Sequence, residues 1–355
     1  MATTGRSAVA SEPDAASVLS DAEFVRVTAA PTGGSVAAAA MLADACDERA
    51  VPFQVRVARS APGSFDDSTA SHVTVGIESG DAAASVTDDV ANDAFALVRE
   101  AGGDPDPVLA FAGAVADGVE PSSDVREAAG LDRRPGVGVP TADLAAGLAH
   151  STLFHASFSG DEQAAGATLA ELGLPPGLDE SARRRLASVV ALDATEDASE
   201  RAADAVAAGL RPHATPDSVF ETVEGYADVL AALAWDSPGL GVAFALGAAD
   251  RTDVVEAWRA HARDAHETVR VAELARHRGV VVVDAADSQP TVARLVRDYR
   301  AEEDAVLAVG DGAAALATTD ADARAVLPDA VGTSRLAATE TDDEDALVET
   351  VRGAL

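Results

Sequence analysis

The chain has 355 residues, enough for two domains of ordinary size, each with its own core. Its 60 acidic residues face 26 basic ones, every one an arginine, and the net charge is −34. That balance fits a cytoplasm at molar salt, where the Debye length falls to ~3 Å, so the charge speaks to habitat and does not exclude a nucleic-acid partner.

The first twenty residues are rich in Ala and Ser and lack a basic-then-apolar signal layout, so a disordered tail is expected over 1–20. Phe24 to Ala30 then reads as a strand, Pro31-Thr32-Gly33-Gly34-Ser35 as a tight turn, and Val36, Ala40, Met41 and Ala45 as a helix face. Ser35 is placed to cap that helix. A second strand, Phe53 to Ala58, completes a β-α-β unit. In such units ligands gather where the first strand ends. Gly33-Gly34-Ser35 reads as a capped turn, or as a set of backbone N–H groups offered to a phosphate. No acid, histidine or cysteine lies between Arg26 and Asp44, so this loop cannot itself build a metal site. Cys46, the only cysteine, excludes an internal disulfide or a zinc cluster and reads as a small buried side chain.

After a polar loop, Ser60 to Ser71, a third strand is expected over His72–Ile77, ending at Glu78-Ser79-Gly80-Asp81. Helices follow at Asp88–Ala101, Asp106–Ala116, Thr141–Leu148, Asp161–Leu172 and Ser181–Leu192, with Arg133 to Pro140 as a loop. The stretch Asp193–Pro216 mixes short helix with acidic loop and marks the domain boundary. Beyond it come a helix from Ser218 to Ala234, a turn at Asp236-Ser237-Pro238-Gly239 and a long helix from Arg251 to His277. That turn interrupts the most apolar stretch, Val229–Ala249, which is therefore too broken to span a membrane. Strands at Gly279–Asp284, Ala305–Val309, Ala313–Thr318 and near Arg335–Thr339 flank a helix from Gln289 to Tyr299, and a last helix runs from Asp342 to Ala354. The expected organisation is α/β in two domains: 21–195 with a parallel sheet, 196–216 as linker, and a smaller α/β domain over 217–355.

Neither His150 and His155 nor His261 and His266 has an acidic partner at a metal-ligand spacing, so all four read as surface or satisfied histidines. Arg183-Arg184-Arg185 reads as a solvated helix face, with a nucleic-acid contact as the alternative. Asp117, where a helix ends beside Gly118, reads as local hydrogen bonding.

Two stretches carry a family resemblance. Thr222 to Leu230, continuing through Ser237 to Gly247, is similar to the segment where archaeal RecJ-like proteins enter their second domain. Ala110-Phe111-Ala112-Gly113-Ala114-Val115-Ala116-Asp117-Gly118 is similar to their fourth motif. The chain resembles a haloarchaeal member of the RecJ-like branch of the DHH phosphoesterase superfamily, from about Asp21 to Glu340. The resemblance implies a two-domain fold holding paired manganese or magnesium ions. The first-motif ligand positions carry Ala29, Pro31 and Gly33, with only Gly34 matching the motif, and the Asp-His-His motif falls near Ile77-Glu78-Ser79. The glycine-rich motif of the second domain corresponds loosely to Gly332-Thr333-Ser334 and Ala337-Ala338-Thr339.

Of the ligand set, Asp117 and, poorly, Glu78 are vestiges, and two-metal hydrolysis needs several carboxylates and imidazoles around ions ~4 Å apart. The resemblance thus implies a nuclease fold without nuclease activity and without cofactor. The expected role is that of a scaffold or single-strand-binding subunit in replication or repair, beside GINS-type or helicase assemblies, cytoplasmic and away from membranes. Gly33, Gly34, Ser35 and Arg335 are then the candidate phosphate or nucleic-acid contacts. The alternatives are an active metal-dependent single-strand exonuclease or small phosphoesterase, using manganese or magnesium, and a nucleotide-binding module built on Gly33-Gly34-Ser35.

Overall fold

The computed structural model describes residue 18 and residues 22–60, 70–175, 178–216 and 218–355. The tail expected over 1–20 lies outside these residues but for Val18, and most of the Ser60–Ser71 loop does too. The first sheet contains β1 (Val25–Ala29), β2 (Phe53–Val57), β3 (Ser71–Val75) and β4 (Ala84–Val86), all parallel, in the order β2-β1-β3-β4. β4 has three residues and no alternating run long enough to announce it. Between β1 and β2 runs α1 (Gly33–Glu48), with thirteen of its sixteen residues buried. As far as Ala43 it is apolar all round because it is covered all round, and its three exposed residues, Asp44, Asp47 and Glu48, lie in the last turns. Thr32, not Ser35, caps α1: its backbone is extended and its Oγ1 accepts from Ser35 N at 3.2 Å. Ser35 falls inside the first turn.

Three helices pack with α1 in the first core: α2 (Val90–Glu100), α3 (Pro107–Ala116) and the short α4 (Ser123–Ala129), which the sequence pattern did not reveal. α3 starts sharply because Asp106 Oδ1 accepts from Val108 N and Leu109 N and Pro107 occupies the first turn. A second group follows: α5 (Leu144–His150), α6 (Glu162–Leu172), α7 (Glu180–Thr195) and α8 (Ala202–Gly209). Then come α9 (Val223–Asp236), capped by Thr222, α10 (Pro238–Ala245) and α11 (Arg251–Val271). α11 ends six residues before the expected His277. Ala272 leaves the helical region with ψ 131°, and β5 (Ala275–His277) begins instead.

The second sheet is mixed and six-stranded, with β6 (Val280–Asp284), β7 (Ala305–Gly310), β8 (Ala313–Thr318), β9 (Val331–Gly332) and β10 (Leu336–Glu340) in the order β5-β6-β7-β8-β10-β9. Only β6 and β7 pair in parallel, joined through α12 (Gln289–Tyr299). α13 (Ala323–Val326) and α14 (Glu344–Ala354) complete the chain. Among the described residues no helix is long and apolar enough to cross a membrane.

The cores do not follow the 21–195, 196–216 and 217–355 limits read from composition. The first core takes in Val223, Val229 and Leu230 of α9 and Val254 and Trp258 of α11, packed with Val25, Val36 and Phe111. The second core joins Leu148, Phe154, Val190 and Val206 to Val292 and Val296 of α12 and to the second sheet. Composition marks an acidic, loop-rich stretch. The apolar faces on either side of it decide which core each helix enters.

Candidate functional site in the interdomain cleft

The loop after β1 meets the end of α3. Asp117 Oδ1 accepts from Gly34 N at 3.0 Å, and its Oδ2 accepts from Thr32 Oγ1 at 3.0 Å. A carboxylate at the start of α1 is favoured by the unpaired amides and the helix dipole there. Burial pushes the Asp117 carboxyl up to about 6, against the lowering effect of the Gly34 and Thr32 bonds. Both glycines serve this contact. A Cβ on Gly34 would lie 2.7 Å from Asp117 Cγ, and one on Gly33 would lie 2.5 Å from Ala116 Cβ. Gly33, Gly34 and Ser35 are all buried. The Gly34 and Ser35 amides that the phosphate reading required bind Asp117 and Thr32 instead.

The other positions implied by the resemblance are apolar or remote from a ligand set. Ala29 is buried in β1. Ala30 and Ile77 pack against Val331 of β9, closing the carboxyl end of the first sheet with hydrocarbon from the second domain. Glu78 is exposed on the loop after β3. Among the described residues no three His, Cys, Asp or Glu side chains are grouped to hold a metal. The side chains present do not fit a two-ion centre.

What remains of the cleft is small. A cavity of about 100 Å³ lies between Thr32, Asp117 and Trp235 on one side and Thr291, Arg294 and Thr333 on the other. A second, of about 160 Å³, runs from Asp88 and Asp89 to Arg324 and Ser334. The arginines lining these cavities are Arg294 and Arg324. Arg335, expected in the groove, is exposed on the turn before β10, with its amide bonded to Thr333 Oγ1. A one-residue shift in a tight turn separates Ser334, which lines the second cavity, from Arg335, which leaves it.

The histidines acquire partners that chain order concealed. His261 Nδ1 lies 2.6 Å from Asp236 Oδ2 and its Nε2 lies 2.9 Å from Thr291 Oγ1, while Ser288 Oγ donates to the same carboxylate at 2.9 Å. Burial disfavours the Asp236 charge, but the bonds from His261 and Ser288 outweigh it and hold the carboxyl below its ordinary value. The neighbouring Trp235 Nε1 donates to Gln289 Oε1 at 2.9 Å. The end of α9 is thereby bolted to the start of α12. His155 and His266 face each other, Nδ1 to Nδ1 at 3.0 Å. His213 Nδ1 lies 2.8 Å from Glu224.

Comparison with known proteins places this architecture. Across its whole length the chain is 46% identical to the protein described as "Uncharacterized protein rrnAC1427" of Haloarcula marismortui, and the alignment covers all of that protein. The chain belongs to the rrnAC1427 family. A family model described as "Uncharacterized protein rrnAC1427, C-terminal domain" matches residues 272–353, which hold the second sheet from β5 to α14. Among solved structures, CDC45 from Entamoeba histolytica superposes with a TM-score of 0.52 at 6% identity, over 95% of this chain and 96% of that one. RecJ in complex with Mn²⁺ from Thermus thermophilus matches with a TM-score of 0.41 at 14% identity, over 96% of this chain and 54% of that one. The chain thus spans about half the length of that RecJ. The fold is like that of CDC45, α/β with a parallel first sheet and a mixed second sheet.

Proposed function

We propose that this chain is a non-hydrolytic scaffold subunit for replication or repair assemblies, built on a nuclease-type fold whose metal cleft has been filled. The observation that carries the reading is the contact of Ala30 and Ile77 with Val331, together with the commitment of Asp117 to the Gly34 amide and the Thr32 hydroxyl. Where the resemblance implies ligands for two cations, this chain has hydrocarbon and one carboxylate already occupied by the Gly34 amide and the Thr32 hydroxyl. The size of the cleft supports scaffolding over strand threading. Ligand pockets generally run from ~300 Å³ upward, and the larger of the two cleft cavities is about 160 Å³.

Calorimetric titration of the full chain with manganese at molar potassium chloride tests this. The expected result is no stoichiometric heat and no release of nucleotides from labelled single-stranded DNA. Two manganese ions bound at micromolar affinity or better, with hydrolysis, would restore the exonuclease or phosphoesterase reading.

A further inference from the structure

Two arginine runs fifty residues apart in the chain meet outside the cleft. The loop containing Arg133 and Arg134 lies against the 209–213 segment through Arg134 N to Pro212 O at 2.9 Å and Gly138 N to Gly209 O at 2.7 Å. The first turns of α7 cover this loop, and the Arg183 stem lies 3.8–3.9 Å from the Cβ position of Gly136. Arg134 and Arg183 therefore line one pocket of about 220 Å³, with Val137, Val139 and Leu186 as apolar wall and Thr141 as a polar one. Exposed Arg133, Arg185 and Arg211 lie on the same three segments.

This pairing is unusual for the molecule that holds it. With 60 carboxylates to 26 guanidiniums, acidic partners are abundant. The Arg183 side chain nevertheless has neither hydrogen bond nor ion pair among the described residues, its amide alone bonding to Asp179 O. The Arg134 side chain donates only to a backbone carbonyl, that of Glu221 at 3.4 Å. Burial and the positive charge of Arg183 both disfavour the Arg134 cation, and the Glu221 carboxylate only partly offsets them. Of the nearby acids, Glu180 pairs with Arg184 and Asp179 caps α7 through Ala182 N at 2.7 Å, which leaves Glu221, itself in the pocket lining, as the one carboxylate acting on Arg134. Nor does the helix explain the arginines, since cations near a helix N-terminus oppose its dipole. Thr141 Oγ1 accepts from Asp143 N at 3.2 Å, which leaves its proton to donate.

We propose that the pocket between Arg134 and Arg183 binds a phosphoryl group. Two planar guanidinium side chains in the lining of one pocket suit a tetrahedral oxyanion, and such multidentate bonds withstand salt better than isolated point charges. The anion removes the like-charge repulsion that the empty pocket carries. The site is separate from the cleft and holds whether or not the cleft is catalytically silent. Its source is either a free phosphate or a phosphodiester of single-stranded nucleic acid running across Arg133, Arg185 and Arg211.

The test uses the full chain at molar potassium chloride, with inorganic phosphate and a fluorescent oligothymidylate as separate probes. Arg183→Gln, which breaks no internal bond, lowers affinity about tenfold. Arg134→Gln with Arg183→Gln abolishes binding, and Arg183→Lys is intermediate. Arg335→Ala leaves affinity unchanged, with melting curves confirming that each variant is folded. Binding of phosphate and oligonucleotide alike identifies a general phosphoryl site, and binding of the oligonucleotide alone identifies a backbone site. The proposal is overturned if neither probe binds the parent chain, or if the folded double variant binds as the parent does. A manganese-dependent nuclease that still lost phosphate with Arg183→Gln would sink the scaffold reading and leave this one standing.

Discussion

Gly34 and His155 show how single side chains set the limits of this fold. Gly34 touches Asp117 so closely that an added Cβ has no room. Gly34→Ala should therefore cost about 1–3 kcal/mol through overpacking, read as a lower denaturant midpoint with the slope unchanged. Burial, then Arg270 and Arg300, push the His155 imidazole down to about 4, and His266 beside it is also held well below its ordinary value. In the unfolded chain both titrate near 6.5. Between about 4 and 6.5 the unfolded state thus binds more protons, so stability rises with pH through that window and is lost as pH falls through it. His155→Gln should flatten this slope in denaturant titrations between pH 4 and 7. A slope identical to the parent's would assign the acid sensitivity to other groups.

Among the elements, the joint of α9, α11 and α12 governs the cleft. Trp235 and Asp236 end α9, His261 lies mid-way along α11, and Ser288 to Thr291 begin α12. Ser288 holds this start at φ 55°, a left-handed conformation that a non-glycine residue adopts at some cost. His261→Ala leaves Asp236 and Thr291 without their shared partner and should cost about 1–3 kcal/mol. Hydrogen exchange should quicken at the first turn of α12 before the second sheet loosens. Uniform acceleration throughout the chain would mean that the joint is no separate element.

The whole molecule should unfold as one unit. Its first core contains α9 and part of α11, and its second core contains α5, α7 and α8 as well as the second sheet. Residues 272–355 expressed alone would expose the apolar face of α12, so the fragment should lack a cooperative melt while the full chain shows one transition. Lowering the salt from molar to about 0.1 M lengthens the Debye length from ~3 to ~10 Å. The net charge of −34 then repels itself across the surface. The melting temperature should fall with salt, and an unchanged value would detach the acidic surface from stability.

The chain order alone determined a good deal of this. Alternation in Phe24–Ala30 and His72–Ile77, the Pro-Thr-Gly-Gly break and the Val-rich Gly279–Asp284 run made the main strands legible, because pleat and helical period act on near neighbours. Other features required the fold. Gly33 and Gly34 suited a phosphate cradle until Asp117, more than eighty residues later, was placed upon them. Arg335 gave way to Arg294 and Arg324 because a turn decides which side chain faces inward. Asp236 met His261, and Arg134 met Arg183, across separations that no period records. Contacts of that kind are set by how the apolar faces of helices dock, and docking is a property of the packed chain rather than of any window of its sequence.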